Sequence, residues 1–275
     1  MKESAPVSAV IPCFRCTRTL ERAVASVAAQ TVLPVELILV DDGSGDETRA
    51  LMTQLKSRYN KGWIRLVLQD ANVGAASARN AGWELAIGEF VAFLDADDAW
   101  HPRKIELQYK FMALAPDVAV AGHGHGHVQV DGLQADAGEI CEVEFQRVSP
   151  RCILFKNPFV TPSFMVRRDL ELRFLAGRRH MEDHYFLMQV SLAGLGIAKT
   201  HTPLAFIFKP IFGESGLSAD LMQMHCSELE NYRLLGDAGN ISPLAAILLK
   251  AYSRLKFFRR YAIVWTRGLR KGGRP

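Results

Sequence analysis

The sequence predicts an α/β fold: a mostly parallel sheet flanked by helices, followed by amphipathic C-terminal helices. Two observations carry this expectation. Short apolar runs alternate with helical patterns from residue 7 to residue 94, the spacing of parallel strands covered on both faces. Beyond residue 219 two helical patterns follow one another with no strand signal between them.

The elements follow in order. Residues 7–12 read as a first strand, and 19–30 as a helix with Leu20, Val24 and Val27 on one face. Residues 35–40 form a second strand that ends in Asp41-Asp42-Gly43-Ser44. Ser44 and Glu47 have capping-box spacing, which predicts a helix from there to about Arg58. A third strand spans 64–68, a helix rich in small residues spans 74–86, and a strand at 90–94 delivers a run of acids. Pro102 marks the opening of another helix. After Pro116 the pattern loosens. Strands are expected at 118–121, 127–130, 163–166 and within 198–208, a polar connection at 134–144, and a helix at 182–193. A loop bearing Gly and Ser at 209–218 precedes helices at 219–235 and 243–267.

With 275 residues, 49% hydrophobic and 23% charged, the chain can bury a substantial core as one large domain or one domain with an appendage. Five cysteines, an odd number, argue against a disulfide framework and for a reducing compartment. The N-terminus carries an acid and lacks the apolar core of a leader peptide. No run approaches the roughly 18 apolar residues of a membrane span. The net charge of +4 is unevenly placed: residues 243–275 hold nine Lys or Arg and no acid, leaving 24 basic against 29 acidic residues in 1–242.

The most informative stretch is Phe90 to Asp98, an apolar strand ending in Asp95, Asp97 and Asp98. Carboxylates this close repel one another unless a cation or polar ligand compensates, and a hard divalent ion prefers such oxygens. The alternative is an Asp-rich turn whose Asp97 or Asp98 caps the following helix. In parallel sheets ligands bind beyond the carboxyl ends of the strands. Asp41-Asp42 and Asp95-Ala96-Asp97-Asp98 both fall at such ends, so the two clusters are expected to converge on one edge.

With these residues in place, the chain resembles the family 2 glycosyltransferases of the GT-A fold. The resemblance rests on Val10-Ile11-Pro12-Cys13-Phe14, on Ser26 to Thr31, and on Leu39-Val40-Asp41-Asp42-Gly43-Ser44. It continues through Asn72 to Gly82, Gly88 to Asp98, and Met181-Glu182-Asp183-His184, covering roughly residues 7–210. It departs at Arg15, where the family commonly has Asn. By this resemblance 1–218 would be the glycosyltransferase domain, with a nucleotide-sugar half at 1–116 and an acceptor half at 117–218, and 219–275 would be a helical basic extension.

The resemblance also implies roles. Pro12, Phe14, Asp41 and Asp42 would hold the nucleotide, with Asp41 on the base. Arg79 would meet a phosphate or the base, or else form an ordinary helix-surface ion pair. Asp95, Asp97 and Asp98 would be the metal and ribose ligands, with Asp97 and Asp98 the preferred direct contacts of Mn²⁺ or Mg²⁺. Asp183 matches the family's general base; read without the resemblance, Glu182 and Asp183 simply complement a helix N-terminus. The donor would be a nucleoside-diphosphate sugar, with the uridine-linked form the expected one.

Other signals point elsewhere with less support. Cys13 and Cys16 have CxxC spacing at a strand–helix junction, the place of a redox dithiol, but that role would leave the acids without purpose. A nucleotidyltransferase would bring a Gly-rich basic loop that 13–19 does not resemble. A degenerate sugar-binding scaffold is opposed by the intact acids. His123, His125 and His127 would share one strand face; structural or substrate-facing roles are favoured over metal ligation because Gly124 and Gly126 intervene.

In the tail, Leu244, Leu248, Ala251, Leu255, Phe258, Ala262 and Trp265 form one helical stripe, with the cations mainly off it. That pattern fits a helix lying on an anionic membrane through 243–270, in preference to one docked on the protein's own core or to a nucleic-acid surface, for which no motif exists. The expectation is therefore an inverting, metal-dependent transferase on the cytoplasmic side of a membrane, acting on a glycan or lipid-linked acceptor.

Overall fold

The computed structural model describes residues 2–59, 62–128, 140, 142–208 and 220–271, with side chains described as far as 261. The first half is the expected alternation: β1 (Ser4–Cys13), α1 (Leu20–Ala28), β2 (Leu33–Asp42), α2 (Asp46–Arg58), β3 (Ile64–Gln69), α3 (Ala75–Glu84) and β4 (Phe90–Phe93). Then come β5 (Ala99–Trp100), α4 (Lys104–Leu114), β6 (Val118–His127), β7 (Gln146–Arg147), α5 (Pro150–Phe155) and β8 (Met165–Arg167). The described chain closes with α6 (Glu182–Leu192), β9 (Gly196–Ile207), α7 (Leu221–Asp237) and α8 (Pro243–Lys271).

The nine strands among the described residues join one sheet in the order β3-β2-β1-β4-β8-β6-β9-β5, with β7 on β9. Strands β3, β2, β1 and β4 are parallel. Beyond β4 the pairing is mixed: β8 is antiparallel to both β4 and β6, and β9 is parallel to β6. The run of four parallel strands belongs to the first half, where β1, β2 and β3 are each followed by a crossover helix.

Side chains alternate across a sheet buried on both sides, which is why these strands read as continuous apolar runs. Val10, Ile38 and Val40 face a core shared with Trp83, Phe164, Phe174 and Phe186. Ala9, Ile11, Leu37 and Leu39 face the opposite core, with Leu20, Val24 and Val27 of α1. The apolar face read for α1 is the buried one.

Two local expectations are corrected. The Ser44–Glu47 capping box does not form; α2 begins at Asp46 without a side-chain cap. Ser44 Oγ instead donates to the Cys13 carbonyl (3.2 Å) and accepts from the Arg15 amide (3.0 Å), tying the end of β1 to the turn after β2. Gly43 in that turn has φ +67°, and a Cβ there would sit 2.6 Å from the Ala71 carbonyl carbon. The separate strands at 118–121 and 127–130 are one strand, β6, through His127; residues 129–130 lie outside the described set, as do most of 134–144 and all of the 209–218 loop. The β6 glycines permit close packing: a Cβ on Gly122 would lie 2.2 Å from the Phe159 ring, and one on Gly124 2.2 Å from the His201 carbonyl oxygen.

Candidate active site

Strand β1 lies between β2 and β4, with Cys13 level with Asp41 and Val10 level with Phe93. The two acidic clusters therefore flank the end of β1 on one sheet edge. Pro12 and Phe14 stand between them, Phe14 being 44% exposed with the Arg15 guanidinium 5.1 Å from its ring centre.

On the β2 side the acids are held by the protein. Asp41 is fully buried, accepts from the Ser44 amide (3.1 Å) and pairs with Arg49 Nε (2.8 Å). Both oxygens of Asp42 accept backbone amides, from Val73 (2.8 Å) and Gly74 (3.0 Å), so Asp42 anchors the turn that starts α3.

On the β4 side, one ligand oxygen from each of Asp95, Asp97 and Asp98 lies within 4.8 Å of the others. Asp98 is fully buried, and the turn closes through its amide to the Asp95 carbonyl (3.1 Å). The Phe208 amide reaches Asp98 Oδ1 at 3.3 Å. Arg22 of α1 donates to the Asp97 carbonyl (2.5 Å) and lies 3.7 Å over the Phe208 ring. A cluster of hard oxygen donors this tight fits a divalent cation. Asp95 also has a cationic side-chain partner.

That partner is Arg79. It is 4% exposed, and its two terminal nitrogens reach Asp95 (2.8 Å) and Glu182 (3.0 Å). The ion pair joins α3, the turn after β4 and the first turn of α6. The guanidinium also lies 5.6 Å from the Phe174 ring centre, inside the aromatic core of Trp83, Phe93 and Phe186.

Next to Glu182, Asp183 accepts from the Asn157 amide nitrogen Nδ2 (2.8 Å) and the His184 backbone amide (2.7 Å). Its carboxyl is pushed up to about 7, first by desolvation and then by the Glu182 charge, against the pull of His184, Arg79 and Asn157. His184 is held down to about 4 by burial, and its Nε2 reaches the Ile153 carbonyl at 2.6 Å, so it is a neutral donor there.

Arg79 thus brings the Asp95 turn to the residue beside Asp183, while Asp41 and Asp42 lie on the other side of β1. Arg22, Arg49, Asn157 and the role of Glu182 were not foreseen. Glu182 had a signal in its position beside Asp183, whereas Asn157 lies in an irregular segment that offered none. The Cys13 thiol is buried and pushed up by desolvation, while Cys16 is lowered by a hydrogen bond from it. His123 is buried in β6, with His125 and His127 beyond it, their ring centres 5.2 Å apart.

The profile described as Glycosyl transferase family 2 matches residues 8–172, which is more than half of the sequence. The chain belongs to this family. An Escherichia coli family relative, the UDP-Glc:alpha-D-GlcNAc-diphosphoundecaprenol beta-1,3-glucosyltransferase WfgD, is 36% identical over 106 residues, covering 38% of this chain and 40% of that enzyme. The chain spans about two-fifths of the length of the curated relatives it matches. Among solved structures, Staphylococcus aureus TarS 1–349 in complex with UDP-GlcNAc superposes with a TM-score of 0.67 at 18% identity, over 93% of this chain and 72% of that one. The mannosyltransferase PcManGT from Pyrobaculum calidifontis, in complex with GDP-Man and Mn²⁺, gives 0.60 at 16% identity, over 97% and 80%. These likenesses establish the GT-A fold of the family member described here.

Proposed function

We propose that this family 2 member transfers a sugar from a uridine-diphosphate sugar to a hydroxyl of a glycan or lipid-linked acceptor, with inversion at the anomeric carbon. The observation that carries the proposal is the Arg79 fork, which ties the acidic cluster through Asp95 to Glu182, the neighbour of Asp183. Asp183 accepts the acceptor hydroxyl's proton as the acceptor oxygen bonds to the anomeric carbon and the bond to the β-phosphate oxygen breaks. Asp97 and Asp98 would hold Mn²⁺ or Mg²⁺, whose charge supports the departing diphosphate. Asp95 faces the ribose and Pro12 and Phe14 border the nucleotide. For the base to reach buried Asp41, the partly exposed Arg49 must swing aside. The glucosyltransferase activity in the name of WfgD and the UDP-GlcNAc bound to TarS support a uridine donor.

Calorimetry with UDP tests the donor site. Binding is expected to need Mn²⁺ and to be lost in Asp98→Ala. Equal binding with and without metal, or in the variant, would remove the cluster from the site; GDP binding in place of UDP would reassign the donor.

We also propose that α8 rests on an anionic membrane at the cytoplasmic face. Its apolar stripe points away from the protein: Leu244, Leu248, Leu255 and Phe258 are 61–70% exposed, while Ala246, Leu249 and Ser253 face inward. Ala262 and Trp265 lie beyond the described side chains. No helix among the described residues is long and apolar enough to cross a membrane. Cosedimentation with phosphatidylglycerol vesicles should occur at low salt, weaken with salt, and fall about tenfold or more in Leu255→Glu/Phe258→Glu. Failure of the wild type to sediment under those conditions would end this reading.

A further inference from the structure

The segments that hold Asp183 are themselves held from the C-terminal helices. Met181, two residues before it, has left-handed backbone (φ 59°), and its carbonyl accepts from Asn231 Nδ2 of α7 (3.0 Å). Asn231 is fully buried. A non-glycine residue in this conformation persists only where its surroundings fix it.

The second hold runs through Asn157, just beyond α5. Helix C-termini leave carbonyls without partners inside the helix. At the end of α5 these are taken by three other helices. Ile153 O meets His184 Nε2 of α6 (2.6 Å), Leu154 O accepts from Tyr232 Oη of α7 (2.8 Å), and Phe155 O from Lys256 Nζ of α8 (3.1 Å). Buried Glu228 of α7 locks this pair of helices, accepting from Ser253 Oγ (2.7 Å) and Lys256 Nζ (2.5 Å). Adjacent residues of α7 therefore reach both segments: Asn231 the turn into α6, and Tyr232 the end of α5.

We infer that Asn231 and Tyr232 are positioning residues for the general base, so that α7 and α8 belong to the catalytic apparatus and are more than an appendage. This rests on the assignment of Asp183 proposed above. The family profile ends at residue 172, so α5 lies within it while α6, α7 and α8 lie beyond it. One helix pair would then present its outer face to lipid and its inner face to the segments that hold the base.

The test uses the full chain, with Tyr232→Phe and Asn231→Ala. Turnover is followed as UDP release from UDP-glucose or UDP-N-acetylglucosamine, whichever the wild type uses. Independently, the ¹³C carboxyl resonance of Asp183, identified by its loss in Asp183→Asn, is titrated. Both variants should lower kcat by about tenfold with KM for donor little changed, since small misplacements of a reacting group are costly. The Asp183 titration should move upward as the Asn157 hydrogen bond to the ionised form loosens. Folded variants with wild-type kcat and wild-type titration would overturn the inference. If the wild type turns over neither donor, the transferase reading is in question, while the titration still decides whether α7 positions Asp183. If Asn231→Ala does not fold, Tyr232→Phe, which keeps the buried ring, decides.

Discussion

Asp183→Asn is expected to lower turnover by about 10²–10⁴ while UDP still binds with Mn²⁺. The amide keeps the size of the side chain, and its one oxygen can still accept from either His184 or Asn157, so the turn into α6 should persist. What it lacks is a site for the acceptor's proton. The wild-type pH profile offers a second check. A base must be ionised to act, and this carboxyl is pushed up to about 7 by desolvation and by Glu182. The rate should therefore climb with pH through the neutral range and level off above it. The residual rate of Asp183→Asn should lack that rise. A variant with near-normal kcat and an unchanged profile would exclude Asp183 from the chemistry.

Arg79→Ala is expected to be the most damaging single change to both folding and activity. Arg79 and Glu182 are nearly enclosed, whereas the Asp95 side chain keeps 23% of its exposure. Removing the cation takes a shared partner from two carboxylates and should cost about 3 kcal/mol of stability, at the lower end of the range for broken buried pairs, because Asp95 is partly exposed to solvent. Urea unfolding measures this directly. Arg79→Lys should recover little, since one ammonium cannot span two carboxylates as the planar fork does. Adding Glu182→Gln to Arg79→Ala should restore part of the stability by removing one unpaired charge. Full stability in Arg79→Ala would mean that the fork is not a structural link.

The first half of this fold was legible because β1 and β2 are long and largely buried, and a helix separates each of the first four strands from the next. The second half was less so. Strands β5 and β7 have two residues each, too short to carry any periodicity. In β6, glycines that admit Phe159 and the His201 carbonyl look like loop residues in one dimension. The acidic runs could be seen because they are contiguous, and Asp183 stood out through its family motif. The partners of Arg79 could not be inferred from local spacing, since Glu182 lies 103 positions away. For α8 the stripe itself was visible. The opposite face was not: it carries Ser253 and Lys256, made tolerable by Glu228, a residue 25 and 28 positions distant.

The outward stripe also governs how this protein behaves in a test tube. Leu244, Ile247, Leu248, Leu255, Phe258 and Tyr261 present a continuous greasy ridge in aqueous buffer. In the absence of lipid or detergent, copies will adhere through these ridges, and light scattering will report masses that climb with concentration. Such particles would reflect poor solvation of one helix, so a subunit count should be taken only after a mild detergent has coated it.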